Sequence, residues 1–202
     1  MLEGSRCRRS LAVSTCHLFA LLLTSSISIS RAFSMTEARN IAIKTVTAHQ
    51  QPEIDYCYAV RRAVFVEEQR VPMEIEMDDK DETATHILAT LNGAAIGAAR
   101  IVFLGDVPPL LPSGNGRTTV GKIGRVCVLP THRGRGIGRQ IVLFAVEEIK
   151  RMIGSGSGGK VQLGAQCHAM TFYESMGFEV IPGGEEYMDA GGVPHRDMQM
   201  ML

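Results

Sequence analysis

The stretch "LPTHRGRGIGRQ", Leu129–Gln140, places three arginines and three alternate glycines between an apolar segment and a helical pattern. Glycine lets a backbone come close to a ligand, and the unpaired N–H groups at a helix start attract anions. Arg133, Arg135 and Arg139 add positive charge. We therefore predict an anion-binding loop, with a pyrophosphate as its natural occupant.

Three other interpretations of this stretch fit its residues less well. A P-loop ends in Gly-Lys-Ser/Thr, whereas Arg139 and Gln140 occupy the corresponding places here. A dinucleotide fingerprint has the spacing G-x-G-x-x-G, whereas Gly134, Gly136 and Gly138 are spaced G-x-G-x-G. A plain basic turn does not need three glycines, because each of them raises the entropy cost of ordering the turn.

The rest of the chain predicts one mixed α/β domain over residues 41–202. Alternating or β-branched apolar segments predict seven strands: Ile41–Ala48, Thr85–Leu91, Ala94–Phe103, Thr119–Leu129, Lys160–Gln166, "FEVI" and "RDMQMM". Helical spacing predicts three helices: Ile54–Gln69, Ile141–Met152 and His168–Met176. Asn92-Gly93 is a strong hairpin signal, so neighbouring strands are expected to be mostly antiparallel.

Composition excludes several classes of protein. The 202 residues carry no formal net charge and their basic residues are not concentrated, so we predict no nucleic-acid partner. Cys57, Cys127 and Cys167 each lie singly in apolar segments, without a CxxC or Cys/His cluster. This pattern supports neither a metal site nor a disulfide framework.

The first 32 residues have the pattern of a targeting leader. Three arginines precede the apolar run Leu11–Leu23, and Ser30-Arg31-Ala32 follows as a small-x-small cleavage site. The run is too short and too interrupted to predict a membrane span. A signal peptide and an organelle transit peptide both fit, so the protein is expected in the secretory pathway, a plastid or a mitochondrion.

Several motifs together resemble one family. "RGRGIG", Arg133–Gly138, has the R/Q-x-x-G-x-G/A form of the pyrophosphate loop of GCN5-related N-acetyltransferases (GNAT). "RVCVLP", Arg125–Pro130, and "AMTFYESMGF", Ala169–Phe178, are similar to two further landmarks of that family. More narrowly, "RRAVFVEEQRVP", "HILAT", "LGAQCHAMTFYESMGF" and "EEYMDAGGVPH" resemble its ElaA/YjcF-like branch. The similarity runs from about Arg61 to Met200.

The resemblance implies the acyl-CoA N-acyltransferase fold, a splayed sheet of about seven strands flanked by helices, with acetyl-CoA as the acyl donor. A bulge in the strand of Val126 would expose main-chain N–H groups to the thioester oxygen. The residues that the resemblance assigns to acetyl-CoA binding are Val126, Cys127, Val128, Arg133, Gly134, Arg135, Gly136, Ile137, Gly138, Arg139, Gln166 and Tyr173.

The resemblance also suggests catalytic residues. Tyr173 falls at the position of the general acid that protonates the departing thiolate. Glu68, His86 and His195 are candidates for the base that deprotonates the amine, and deprotonation through water is an alternative. We place Glu68 first, because a carboxylate can also hold an ammonium group.

The expected reaction is acetyl transfer to a primary amine of a small molecule or peptide, by direct attack through a tetrahedral intermediate. The acidic run "MEIEMDDKDE", Met73–Glu82, is either a solvated loop or a wall that favours a cationic amine through Glu76, Asp78 and Asp79. The alternative function is a catalytically inactive acyl-CoA-binding sensor or scaffold. The sequence leaves the oligomeric state open, a homodimer included.

Overall fold

The computed structural model describes residues 41–104, 118–154, 158–189 and 191–202. The leader predicted over residues 1–32 lies outside the described residues and stays a prediction. Within the described parts, no helix is long and apolar enough to cross a membrane.

The described residues form one mixed sheet of eight strands. Its spatial order is β1-β2-β3-β4-β5-β8-β6, and β7 also pairs with β8. The pair β4/β5 is parallel and the other described pairs are antiparallel. The strands are β1 Ile41–Val46, β2 Thr85–Leu91, β3 Ala94–Leu104, β4 Thr119–Val128, β5 Gly159–Gln166, β6 Glu179–Val180, β7 Tyr187–Met188 and β8 Pro194–Met201. The predicted fold class is confirmed, and the short strand β7 is an addition to the seven predicted strands.

The helices follow the predicted order, with two local differences. They are α1 Glu53–Arg61, α2 Met73–Glu76, α3 Ile137–Ile153 and α4 Met170–Glu174. The helix expected over Ile54–Gln69 continues beyond α1 as a π-helix over Arg62–Glu68. The acidic run, expected as a loop, contains α2 and a 3₁₀ turn at Asp79–Asp81.

Helices α3 and α1 cover the sheet with two separate apolar cores. The stripe of α3 packs with inward-facing strand residues in the larger core, through Ile137, Ile141, Val142, Ala145, Val146, Ile149 and Ile153. Helix α1 and the π-helix supply the smaller core through Ile54, Cys57, Val60 and Val64. Burying one such aliphatic side chain stabilises the fold by roughly 1.5–3 kcal/mol, so the two stripes fix which face of each helix meets the sheet.

The glycine-rich loop joins the end of β4 to the start of α3. Strand β4 ends at Val128 and α3 begins at Ile137. The start of α3 therefore lies beside the carboxyl end of β4, one of the two described strands that are parallel to each other.

Candidate active site

Strands β4 and β5 separate halfway along their length. Their parallel ladder begins at Thr119 and Gly159 and ends at Ile123 and Leu163. Strand β4 nevertheless continues to Val128, and β5 continues along β8 as far as Gln166 opposite His195. Beyond that last pair, the facing edges of β4 and β5 are not hydrogen-bonded to each other. The opening between them can accept an extended ligand.

A β-bulge lies at the start of this opening. Ala98 pairs with Cys127 and Arg100 with Gly124, so Arg125 and Val126 together oppose the single residue Ala99. Arg125 has a φ of 55°, in the left-handed region. A bulge increases local twist and interrupts the ladder, which accounts for the divergence of β4 from β5.

The glycine-rich loop presents main-chain donors beside the opening. Gly134 and Gly136 have φ values of 75° and 76°, which glycine adopts without strain. A Cβ built at either would meet no described atom within 4 Å, so the space above the loop is open. The N–H of Gln140 bonds to the carbonyl of Gly136, so the N–H groups before it lack an intrahelical acceptor. This arrangement fits a pyrophosphate.

A pocket of about 590 Å³ runs through the opening. The predicted residues that line it are Val126, Cys127, Val128, Arg133, Gly138, Gln166, Tyr173 and His195. Those predicted residues that do not line it are Glu68, His86, Gly134, Arg135, Gly136, Ile137 and Arg139. The structure thus brings the expected acid and one expected base into the same pocket.

Two residues of the predicted pyrophosphate loop direct their side chains away from the pocket. Ile137 is buried in the larger core, so it can offer a ligand its main chain alone. Arg139 donates from Nη1 to the carbonyl of Ser175 at 3.2 Å. That bond ties the start of α3 to the end of α4.

Tyr173 lies in the wall of the pocket with its ring in the core. Only 9% of the residue is exposed, and its ring makes edge contacts with Phe172 and Phe178. Burial raises the pKa of the Tyr173 phenol to about 12. The hydroxyl is protonated at neutral pH, as an ordinary phenol already is, and the raised pKa makes it a weaker acid than a free tyrosine.

His195 lines the pocket beside β7. Its Nδ1 lies 2.8 Å from the carbonyl of Val193, and because a carbonyl can only accept, Nδ1 carries the proton. Nε2 then holds the lone pair of the neutral ring. Asp189 Oδ2 is 3.7 Å from Nδ1, and the Tyr187 ring stacks on the imidazole at 5.9 Å between centroids. These contacts fix the tautomer that a base requires.

The other two base candidates are engaged elsewhere. Glu68 forms an ion pair with Arg133, whose hydrogen bonds hold the pKa of the Glu68 carboxyl below its usual value. His86 is fully buried, its Nε2 lies 2.9 Å from the carbonyl of Asp81, and burial lowers its pKa. A lowered carboxyl pKa makes Glu68 a weaker base, and the structure does not bring His86 to the pocket.

Gln166 has a partner that sequence reasoning missed. Its Nε2 donates to Gln69 Oε1 at 3.2 Å, and both residues line the pocket. Gln69 immediately follows the π-helix, so this bond links that helix to the end of β5.

The acidic run is neither a solvated loop nor a free acidic wall. Its three inward carboxylates, Glu76, Asp78 and Asp81, form ion pairs with Arg61, Arg100 and Arg125. Their charges are therefore balanced one to one, and the interpretation that Glu76 and Asp78 attract a cationic amine loses its basis. Asp79 is exposed. The arginines were missed, although an arginine inside an apolar strand already indicates a buried partner.

Comparison with known proteins agrees with this geometry. The family model described as "Acetyltransferase (GNAT) domain" matches residues 82–180. The chain is 33% identical over 159 residues to the uncharacterized N-acetyltransferase YjcF of Bacillus subtilis (strain 168), covering 79% of this chain and 99% of that protein. The crystal structure of Escherichia coli ElaA superposes with a TM-score of 0.61 at 28% identity, covering 79% of this chain and 98% of that one.

A more distant neighbour shares the fold alone. Arabidopsis thaliana NAA60 in complex with acetyl-CoA superposes with a TM-score of 0.59 at 15% identity, covering 80% of this chain and 98% of that one. The family match and the identity to YjcF extend over most of the described domain. The chain therefore belongs to the GCN5-related N-acetyltransferase (GNAT) superfamily, in its ElaA/YjcF-like branch.

Proposed function

We propose that this protein transfers the acetyl group of acetyl-CoA to a primary amine of a small molecule or peptide. One observation carries the proposal: the opening between β4 and β5 lies in the same pocket as Tyr173 and His195. An extended donor in that opening would have a proton donor and a proton acceptor within one cavity. Acetyl-CoA is also the ligand named for the NAA60 neighbour, which supports this choice of donor.

The donor would be held by main-chain groups and by charge. The N–H groups at the start of α3, which lack an intrahelical acceptor, and the guanidinium of Arg133 suit the CoA pyrophosphate. The pantetheine arm would lie along Val126, Cys127 and Val128, and the amide of Gln166 would border its path. Amides on the free edge of β4 would stabilise the negative charge that develops on the thioester oxygen.

In the proposed reaction, His195 receives the proton of the amine. The amine nitrogen attacks the thioester carbon and forms the C–N bond, while its proton passes to Nε2 of His195. Asp189, close to Nδ1, would stabilise the positive ring that results. This assignment places His195 ahead of Glu68, which sequence reasoning preferred, because Glu68 is paired with Arg133.

Tyr173 completes the transfer. When the tetrahedral intermediate collapses, the C–S bond breaks and the thiolate takes the proton of the Tyr173 hydroxyl, which solvent later replaces. A route through an acetylated cysteine finds little support among the described thiols. Burial raises the pKa of both Cys57 and Cys127 to about 12, and desolvation with the nearby Glu186 raises the pKa of Cys167, so none of the three described thiols is a thiolate at neutral pH. Direct attack by the amine is the mechanism we propose.

Calorimetry with acetyl-CoA, combined with a thiol-release assay over small amines and peptides, tests the proposal. We expect micromolar binding of acetyl-CoA and thiol release that requires an amine. Tyr173→Phe should still bind acetyl-CoA but release thiol more slowly. Binding without release from any amine would favour the sensor or scaffold, and absence of CoA binding would refute both functions.

A further inference from the structure

The side chain of Arg125 ties the bulge of β4 to the acidic run. Its Nη2 donates to the carbonyl of Ile75 at 2.7 Å, and its Nε donates to the carbonyl of Glu76 at 3.1 Å. Nε also lies 2.9 Å from Oε2 of Glu76. One guanidinium therefore fixes the position of β4 relative to the end of α2, 49 residues earlier in the chain.

The anchor on the other side is itself rigid. The side chain of Glu76 is 2% exposed, and its Oε1 accepts a hydrogen bond from Nε of Arg61 at 2.7 Å. Arg61 is completely buried and also bonds Asp81. Glu76 thus joins Arg125 to a network held inside the domain, which gives Arg125 little freedom to move.

The backbone at Arg125 needs such an anchor. Its φ of 55° lies in a region that L residues other than Asn and Asp seldom adopt. It opposes Ala99 together with Val126, so it is part of the distortion that frees the edge of β4. Strained backbone of this kind persists where its surroundings enforce it, and here the enforcing contacts are those of the guanidinium.

We propose that Arg125 and Glu76 are positioning residues for the donor thioester. By holding the bulge, they aim the main-chain N–H groups on the free edge of β4 at the acetyl carbonyl. Arg125 and Glu76 also line the pocket, next to the path assigned to the donor. The inference rests on the proposed function, because it concerns the thioester of acetyl-CoA.

Infrared spectroscopy of bound acetyl-CoA, labelled with ¹³C at the acetyl carbonyl, tests this positioning without any acceptor. Hydrogen bonds from the protein lower the carbonyl stretching frequency, so wild type should show a downshift from free acetyl-CoA. Arg125→Gly is the sharpest variant, because glycine adopts the left-handed conformation without strain while the guanidinium is lost. Arg151→Ala, an exposed arginine of α3 paired with Glu148, is the matched control.

We expect the carbonyl frequency in Arg125→Gly to return most of the way to that of free acetyl-CoA. The kcat should fall about 10- to 100-fold, a fraction of the loss on removing an oxyanion donor outright, while the KM for acetyl-CoA changes less than about threefold. Arg151→Ala should match wild type in carbonyl frequency, in kcat and in the KM for acetyl-CoA. A folded Arg125→Gly with the wild-type frequency and kcat would overturn the inference.

Two further variants decide the matter if Arg125→Gly does not fold. Arg125→Lys keeps the charge but replaces the planar fork of nitrogens by a single ammonium nitrogen, and Glu76→Gln keeps the shape but removes the charge. Both should show a smaller downshift than wild type, and an unchanged downshift in both would refute the positioning role. If the wild-type protein binds no acetyl-CoA, the proposed function itself is refuted. If the variants bind acetyl-CoA with the wild-type carbonyl stretching frequency, only this inference is refuted.

Discussion

Arg133 and Glu68 form a two-point ion pair beside the glycine-rich loop. Nη1 of Arg133 lies 2.7 Å from Oε1 of Glu68, and Nη2 lies 2.6 Å from Oε2. The Nε of the same guanidinium donates to the carbonyl of Val128 at 2.9 Å. Arg133 is thus oriented over the end of β4, and Glu68 neutralises a charge beside the loop that we propose for the CoA pyrophosphate.

Glu68→Gln should strengthen acetyl-CoA binding. Removing the carboxylate leaves the charge of Arg133 available to the pyrophosphate, and because the pair is exposed we expect a gain of about two- to fivefold in affinity. Calorimetry at low and at high salt measures this, and the gain should shrink at high salt. Glu67→Gln, a change at the exposed neighbour, serves as the control. Loss of the acidic limb of the pH–rate profile in Glu68→Gln would restore Glu68 as the base.

Tyr173→Phe should lower kcat about 100-fold or more, the usual contribution of a general acid, with little change in acetyl-CoA affinity. The ring keeps its contacts in the core, so the fold should be retained. Steady-state kinetics measures kcat, and calorimetry on the same preparation measures the affinity for acetyl-CoA. Tyr56→Phe, at an exposed tyrosine, is the control. Unchanged turnover would remove Tyr173 from the mechanism.

His195→Gln should lower kcat about 100-fold or more, because no imidazole nitrogen is left to accept the amine proton, while acetyl-CoA still binds. Steady-state kinetics measures kcat, and calorimetry measures the affinity for acetyl-CoA. His49→Gln, at an exposed histidine between β1 and α1, should retain the wild-type kcat. A wild-type kcat in His195→Gln would point to water or another group as the base.

Asp81 should make stability depend on acid pH. Hydrogen bonds from Arg61 and Arg100 outweigh the desolvation of Asp81 and lower its pKa to about 2. Its contribution, about 2 kcal/mol, is present above pH 4 or so and is lost as the pH falls from about 4 to about 2. Denaturant unfolding measures the free energy of unfolding of wild type and of Asp81→Asn across this pH range. The difference in that free energy between the two proteins should shrink toward low pH. Asp79→Asn at the exposed neighbour should show no such trend.

Local patterns in the sequence predicted most of the fold. Alternation and the Asn92-Gly93 turn predicted the antiparallel strands, and the stripe of α3 predicted the larger core, because these patterns depend on neighbours along the chain. The glycine-rich loop was predictable for the same reason, since Gly134 and Gly136 need only their own backbone angles. The π-helix after α1 was not predictable in this way, because local sequence patterns do not distinguish its hydrogen bonding from that of an α-helix.

Partners far apart along the chain could not be predicted. Glu68 and Arg133 are 65 residues apart, and Arg125 and Glu76 are 49 residues apart. The sequence showed that Glu68 has a carboxylate that could act as a base, but it did not show that Arg133 forms an ion pair with it.

The separation of β4 from β5 also bears on how the protein avoids aggregation. Unpaired strand edges invite pairing with other chains when they lie at the rim of a sheet. Here the unpaired edges lie in the interior of the sheet, between strands that are paired on their other sides, and the gap closes at Ile123 and Leu163. A foreign strand would have to enter a wedge that is open at one end only. The domain can thus keep unpaired main-chain groups accessible to an extended ligand, while a strand of another protein molecule cannot readily pair with them.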